Sequence, residues 1–359
     1  SNMYPNRIFR AVTATALGLL LGACAPSDPY AQTSQALTDE VLLPAYADWA
    51  EANRRMAASS IAFCADNEEL ADAREAFLQA QLAWAGLQPL LIGPMGEGNR
   101  AWQVQFWPDK KNLVGRQIGS LLKKKPQLTQ ADLESGSVVL QGLSAYEYVL
   151  YDKAVDLTDS ATKARYCPLL QAIGEHQQKL AADMLQTWKA KDGMAAQLSE
   201  FPNERYAESA EAIADLLRVQ VTALDGLKKK LGAPLGRQSK GFPQPFQAEA
   251  WRSDATLPSI DAALAGAQQL WLGTDGNGLK ALVPTDQADL TKRIDVAYET
   301  ARQHLVDIML PFSELIADEA GRARLDALYQ DIDALHRLHQ TELARALGVQ
   351  IGFNAHDGD

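Results

Sequence analysis

The sequence predicts an all-α protein made of two helical bundles joined by a linker rich in glycine and proline. Apolar residues recur every three or four positions in most long segments, which is the spacing of one helix face. Alternating β-branched runs, which would indicate strands, are almost absent, whereas alanine and leucine are abundant helix formers. The 359 residues are enough for two domains of ordinary size.

The N-terminal bundle is expected to span residues 37–231. Its helices are predicted near residues 37–64, 67–84, 112–125, 142–151, 161–191 and 203–230. Between the second and third of these, Gly93 and Pro94 open a loop that runs to Arg116. Because so long a loop in a compact domain is usually functional or disordered, its tryptophans and charges favour an ordered, functional loop.

Residues 231–247 contain three glycines and three prolines and are the predicted linker. The C-terminal bundle is expected to span residues 247–359. Its helices are predicted near residues 258–272, 284–309 and 319–347. A cleft is expected where this bundle meets the first, because clefts between domains are common ligand sites.

The N-terminal segment has the pattern of a bacterial lipoprotein signal. Arg7 and Arg10 flank an apolar run, 11–21, that is too short to span a bilayer as a helix. The run ends in Leu-Gly-Ala-Cys24, which has the small residues and the cysteine of a lipoprotein cleavage site. We therefore expect residues 1–23 to be a signal peptide, with a two-residue expression remnant at its start, and Cys24 to carry lipid.

The residues after Cys24 indicate where the anchor lies. Residues 24–36 are small and polar and are predicted to be a flexible tether. Ala25, rather than aspartate, favours the periplasmic face of the outer membrane of a Gram-negative bacterium. The formal charge of −11, without a basic stripe, argues against nucleic acid as a partner and against electrostatic docking to anionic lipid.

Two cysteines remain beyond the predicted anchor, Cys64 and Cys167. In an exported protein an even pair favours one disulfide. The alternative is two buried free thiols.

The sequence Gly142-Leu-Ser-Ala-Tyr-Glu147 opens a short predicted helix and places a carboxylate in an apolar stripe. A buried carboxylate needs a partner or stays protonated. We expect Glu147 to pair with a cation of the preceding loop, Arg100 or Arg116, whose planar guanidinium suits a buried carboxylate. The alternative is a polar residue at the rim of an ordinary helix.

Gly142-x-Ser144-x-x-Glu147 resembles the Gly-x-His-x-x-Glu signature of the imelysin family, with Ser144 in the place of histidine. Three further segments agree in order: residues 84–96 (WAGLQPLLIGPMG) resemble the family's Trp-containing helix and Gly-Pro loop, and residues 106–112 (FWPDKKN) and 352–359 (GFNAHDGD) resemble an imelysin-like lipoprotein branch of the family. The family is named for a secreted insulin-cleaving metallopeptidase, and its relatives include iron-regulated surface proteins such as iron-regulated protein A. The resemblance implies two helical bundles, an envelope location and a link to iron.

The candidate residues suggest three chemistries. A catalytic zinc needs about three His or carboxylate ligands, and Ser144 leaves the motif only Glu147, so metal binding there is a weak candidate. His336, His339 and Glu342 share a helix face and form a second metal candidate. The alternative is that a half-buried histidine packs against the core beside a solvated neighbour. Nucleophilic catalysis by Ser144 lacks the required sequence context.

The remaining interpretation is a binding cleft. The alternative is that the same aromatic residues pack in the core and the charged residues form structural ion pairs. Aromatic walls with a few polar groups are typical of ligand sites. The predicted cleft residues are Trp84, Arg100, Trp107, Asp109, Asn112, Arg116, Ser144, Glu147 and Tyr148.

Three functions follow from these patterns. The first is a lipid-anchored imelysin-like envelope protein that acts as a binding or accessory component in iron uptake, without peptidase activity. Its partner would be a small ligand or an envelope protein of the uptake system, and its cofactor, if it has one, would be iron. The alternatives are an imelysin-type metallopeptidase and a non-enzymatic envelope scaffold.

Overall fold

The computed structural model describes residues 26–352, and every regular element within that range is a helix. The predicted all-α class is therefore confirmed. None of the helices in this range is both long enough and apolar enough to cross a lipid bilayer. The predicted signal peptide, the predicted lipid site at Cys24 and the C-terminal residues 353–359 lie outside the described residues.

The helices follow one another with short connections. Up to residue 235 the α-helices are α1 (Pro29–Leu37), α2 (Leu43–Cys64), α3 (Leu70–Leu87), α4 (Arg100–Val104), α5 (Leu113–Lys124), α6 (Gln130–Glu134), α7 (Leu143–Tyr151), α8 (Ser160–Lys189), α9 (Met194–Gln197) and α10 (Ser209–Leu235). Beyond it they are α11 (Thr256–Leu272), α12 (Ala288–Asp307), α13 (Phe312–Leu315), α14 (Glu319–Arg337) and α15 (Ala344–Ala346). Turns of π-helix at Thr38–Leu42 and Leu338–Leu343 join α1 to α2 and α14 to α15.

Residues 29–36 of the predicted tether are helical and belong to α1. The Asp28 side chain accepts the Ala31 N–H at 3.0 Å and Pro29 occupies the first turn, two features that start helices. The buried Ser34 hydroxyl then donates to the Leu198 backbone oxygen at 2.5 Å. The chain is thus held to the body of the protein from Asp28 onward.

Helix α2 lies at the centre of the first half and packs against α3 and α8. The approach to α8 is close, because a Cβ placed on Gly174 would lie 3.2 Å from the Ala57 Cα. Cys64 at the end of α2 forms a disulfide with Cys167 of α8, with Cα atoms 5.8 Å apart. The predicted disulfide is confirmed.

The two halves share one continuous buried cluster. Helix α11 crosses α3 so closely that a Cβ on Gly266 would lie 2.3 Å from the Gly86 backbone oxygen. Helix α14 packs against both α10 and α12. Helix α10 itself continues through Pro234 to Leu235, so the irregular connection begins five residues later than predicted. The division into two domains stays a prediction.

Candidate functional site

The Gly142–Glu147 motif begins helix α7 and joins it to the preceding loop. A side chain at Gly142 would collide with the backbone, because a Cβ there would lie 2.3 Å from the Val104 oxygen. The Ser144 hydroxyl donates to the Phe106 backbone oxygen at 2.8 Å. Both motif residues therefore hold α7 against the loop that carries the tryptophans.

Glu147 is buried, as predicted, with only 4% of its surface exposed. One carboxylate oxygen accepts the Ser253 backbone N–H at 3.1 Å and the Ser253 hydroxyl at 2.5 Å. Burial raises the pKa of Glu147 to about 7, although the Ser253 hydrogen bonds and the Arg252 charge oppose the rise. This carboxyl group therefore changes charge near neutral pH.

The predicted pairing of Glu147 with Arg100 or Arg116 is wrong. The carboxylate is bonded to Ser253, while the Arg100 guanidinium donates to the Pro94 backbone oxygen at 2.8 Å. Arg116 is exposed on the outer face of α5. The irregular segment after the linker supplies the partner because it folds over α7, and the cation that acts on Glu147 is Arg252.

Arg252 fixes this segment in place. Its Nε lies 2.7 Å from an Asp152 carboxylate oxygen, and it donates to the Asn112 side-chain oxygen at 3.0 Å. The guanidinium also lies 4.9 Å from the Tyr148 ring centre and 4.4 Å from that of Trp251. Hydrogen bonds and ring stacking thus position one arginine between α7 and the segment that follows the linker.

A second buried polar network lies beside α3. The buried Glu249 carboxylate is 2.5 Å from the Lys230 ammonium and 3.5 Å from the Gln81 amide nitrogen. Gln81 also donates to the Ser259 hydroxyl at 3.3 Å and accepts from Gln105 at 2.9 Å. These polar groups are bonded to one another, as buried polar groups usually are. They therefore link α3, α10, α11 and the loop.

The predicted cleft residues do not line one pocket. Trp84 and Trp107 border a cavity of about 210 Å³ together with Lys230 and Glu249. Asp109 and Asn112 border another cavity of about 380 Å³, next to Arg252. The Asp109 carboxylate also accepts the N–H groups of Leu113 and Val114 and so caps α5.

Glu147 and Tyr148 pack inside the protein with Ser144 beside them, and Arg100 and Arg116 face solvent. Of the nine predicted residues, the structure brings together Asn112 and Tyr148 around Arg252, next to Glu147.

Several residues of this region were not predicted from the sequence: Gln81, Lys230, Glu249, Arg252 and Ser253. The signal available for Gln81 was a polar residue within an apolar stripe. Glu249, Arg252 and Ser253 had the weaker signal of a polar cluster directly after the linker. For Lys230 the sequence indicates only a cation near the end of a predicted helix.

The family of the chain follows from comparison with known proteins. The profile of the family described as Peptidase_M75: Imelysin matches residues 42–339, which is most of the chain. The chain belongs to the imelysin family. No curated protein sequence matches it significantly.

Two solved structures share the imelysin fold. An imelysin-like protein from Psychrobacter arcticum 273-4 superposes with a TM-score of 0.77 at 20% identity, covering 91% of this chain and 99% of that one. A protein from Parabacteroides distasonis ATCC 8503, named as an iron-regulated protein A precursor, superposes with a TM-score of 0.72 at 18% identity, covering 89% and 96%. At these identities the similarity shows the fold alone.

The imelysin motif of this chain does not offer the donor set of a catalytic metal. Its serine hydroxyl is bonded to a backbone oxygen, and its carboxylate is bonded to Ser253. Within residues 26–352 no group of three or more His, Cys, Asp or Glu side chains is arranged to hold a metal ion. A zinc centre with three protein ligands therefore does not fit the residues at Ser144 and Glu147.

His339 of the second metal candidate is a core residue. It is fully buried, its Nδ1 lies 2.7 Å from the Leu335 backbone oxygen, and its Nε2 lies 3.0 Å from the Tyr298 hydroxyl. Gln220 donates to that hydroxyl, so the tyrosine proton is directed to Nε2. Burial lowers the pKa of His339 to about 4, and the ring is neutral at neutral pH.

The two other members of that candidate have different partners. The Glu342 carboxylate accepts two hydrogen bonds from Arg293, each at 2.8 Å. His336 is buried with its Nε2 4.0 Å from an Asp225 oxygen. The π-helical turn that begins at Leu338 also changes the residue spacing after His336. The described side chains therefore do not converge on one metal position.

Proposed function

We propose that this imelysin-family chain is a lipid-anchored binding or accessory component of iron uptake on the periplasmic face of the outer membrane, and not a peptidase. The observation that carries the proposal is the hydrogen bonding of the two polar motif residues, Ser144 and Glu147. Ser144 and Glu147 use their oxygens to hold α7 against the loop and against Ser253. Groups that hold the fold in this way are not free to activate a water or a scissile amide.

The iron link and the anchor have separate support. One structurally similar protein is named as an iron-regulated protein A precursor. The anchor is supported by the sequence Leu-Gly-Ala-Cys24 after a short apolar run. The imelysin-type metallopeptidase remains the alternative because the family carries that name. A non-enzymatic envelope scaffold is the third candidate.

The peptidase question is tested with purified protein. Insulin and casein are incubated with the chain in the presence of added zinc or ferrous iron, and with the Glu147→Ala variant. Exposed Glu175 gives the matched control, Glu175→Ala. We expect no cleavage above background. Metal-dependent cleavage that disappears in Glu147→Ala and persists in Glu175→Ala would establish the metallopeptidase instead.

The anchor and the iron link are tested in the native bacterium. Mass spectrometry of the membrane-extracted protein should find acylated Cys24 at the N-terminus. A deletion strain should grow more slowly than wild type under iron limitation only, and the wild-type gene should restore growth while Cys24→Ala should not. Unmodified Cys24, or a growth defect that iron supply does not alter, would contradict the proposal.

A further inference from the structure

A cavity bordered by described residues lies between α10 and the loop of residues 93–116. Its volume is about 680 Å³, which is the size of cavities that enclose small organic ligands. Trp102 and Trp107 line it from the loop, and Val219 and Leu227 line it from α10. Glu147 is not among its lining residues, so the cavity is distinct from the motif.

The loop side of the cavity presents a preformed aromatic surface. The Trp102 side chain is 43% exposed and its ring leans on Phe106, with ring centres 5.6 Å apart. The Trp107 ring is held in position because its Nε1 donates to the Gln247 backbone oxygen at 2.8 Å. An exposed tryptophan at the edge of an apolar cavity is a favourable surface for a flat apolar group.

The α10 side of the cavity is positively charged. Arg218, Lys229 and Lys230 line it, whereas Asp225 is its one acidic lining residue. The chain as a whole carries a formal charge of −11, so this excess of cations is opposite in sign to the rest of the protein. Such a local reversal favours an anionic ligand.

Arg218 is the cation best placed to meet that ligand. Lys229 lies 3.3 Å from an Asp225 oxygen, and Lys230 lies 2.5 Å from a Glu249 oxygen, so both charges are partly balanced. Arg218 instead donates its Nε to the Gln350 backbone oxygen at 3.1 Å, and that oxygen carries no formal charge. The Arg218 side chain is exposed and lines the cavity.

We infer that this cavity binds a small organic anion with a flat aromatic part, which stacks on Trp102 while its acidic group faces Arg218. The ligand's use in iron uptake rests on the proposed function, whereas the binding preference rests on the cavity itself. A neutral aromatic molecule gains only the ring contact, and an inorganic anion gains only the charge. The two features together select the amphipathic anion.

Two fluorescent probes separate ring contact from charge. They are 8-anilinonaphthalene-1-sulfonate and its uncharged analogue N-phenyl-1-naphthylamine, titrated into the full chain. We expect one saturable sulfonate site per chain. Trp102→Ala should weaken both probes by about tenfold because both lose the same apolar surface. Arg218→Gln should weaken the sulfonate alone, by about two- to fivefold, because only that probe is charged.

Matched variants lie outside the cavity lining. Phe242→Ala removes an aromatic side chain that is 69% exposed, and Arg237→Gln removes a partly exposed cation at the end of α10. Both controls should bind the probes as wild type does, and thermal melting should show that every variant folds. The inference is overturned by unsaturable binding, by an equal effect of Trp102→Ala and Phe242→Ala, or by an Arg218→Gln effect that is the same for both probes. The insulin and casein assay does not enter this test, so the proposed function and the cavity assignment fail separately.

Discussion

Ser253 donates both its backbone N–H and its hydroxyl to one carboxylate oxygen of Glu147, across 106 residues of sequence. The acceptor lies on α7, in the first half of the chain, and the donor lies in the irregular segment after the linker. The contact therefore closes the second half over the imelysin motif. Because the carboxyl group is buried, its protonation and the stability of this closure are coupled.

Replacing Glu147 by alanine should destabilise the protein more than replacing it by glutamine. Alanine leaves a cavity and removes the acceptor of both Ser253 donors, which should lower the free energy of unfolding by about 1–3 kcal/mol. Glutamine keeps the shape and one acceptor oxygen, so its cost should be smaller. Urea unfolding of the two variants near neutral pH measures both effects.

The control for this comparison is Glu175→Ala, which removes a carboxylate from the exposed face of α8. Its free energy of unfolding should stay close to that of wild type, because surface changes of this kind are nearly neutral. If Glu147→Ala is as mild as this control, the closure assigned to Glu147 and Ser253 does not contribute to stability.

Much of the fold could be predicted from the sequence because helices follow from local spacing. The apolar repeats predict two helices that correspond to α3 (Leu70–Leu87) and α8 (Ser160–Lys189). The predicted ends of both lie within three residues of the observed ends. The disulfide was predictable because Cys64 and Cys167 were the two cysteines beyond the predicted lipid site at Cys24. The helices could be inferred from the spacing of residues close in sequence, and the disulfide could be inferred from the number of cysteines.

The partner of Glu147 could not be predicted in the same way. Residues 248–255 form turns without a repeating pattern, and Ala250 and Asp254 adopt positive φ angles of 55° and 56°. No local rule says which donor of such a segment will reach a carboxylate about a hundred residues away. Arg100 was a reasonable candidate by charge, but its loop directs it to the Pro94 oxygen.

Reduction of the Cys64–Cys167 disulfide should lower stability. The bond closes a loop of 103 residues, and chain-entropy arguments give about 4–5 kcal/mol for a loop of that length. The Cys64→Ala/Cys167→Ala double variant should therefore unfold at clearly lower urea concentration than the wild type. The wild type in reducing buffer should match the double variant. Equal midpoints for oxidised wild type and double variant would contradict the prediction.

Replacing Arg252 by lysine should be destabilising although the charge is kept. Arginine reaches Asp152 and Asn112 at once and packs between Tyr148 and Trp251, which a single ammonium cannot reproduce. We expect a loss of about 1–3 kcal/mol in the free energy of unfolding. The matched control is Arg54→Lys on the surface of α2, where the same substitution should change little. If the two substitutions lower the free energy of unfolding equally, the simultaneous contacts of Arg252 with Asp152 and Asn112 do not contribute to stability.

The raised pKa of Glu147 predicts a pH-dependent stability of definite sign. The ordinary value is 4.5 and the folded value is about 7, so between these values the folded chain holds a proton that the unfolded chain has lost. The free energy of unfolding therefore falls as pH rises from about 4.5 to about 7, by up to about 3 kcal/mol. Urea unfolding of wild type and Glu147→Gln across this range isolates the effect. Parallel curves for the two proteins would contradict the buried, protonatable Glu147.

His339 should act in the opposite direction over nearly the same range. Its ordinary pKa of 6.5 is lowered to about 4 in the folded protein, so on acidification the unfolded chain takes up a proton that the folded chain refuses. Its contribution is fully present above about pH 6.5 and is lost as pH falls toward 4. The two groups therefore oppose each other in wild type. Relative to wild type, acidification should destabilise Glu147→Gln more, because that variant lacks the Glu147 effect, and should destabilise His339→Gln less, because that variant lacks the His339 effect. If both variants depart from the wild-type pH dependence in the same direction, the assignment of the two buried groups is wrong.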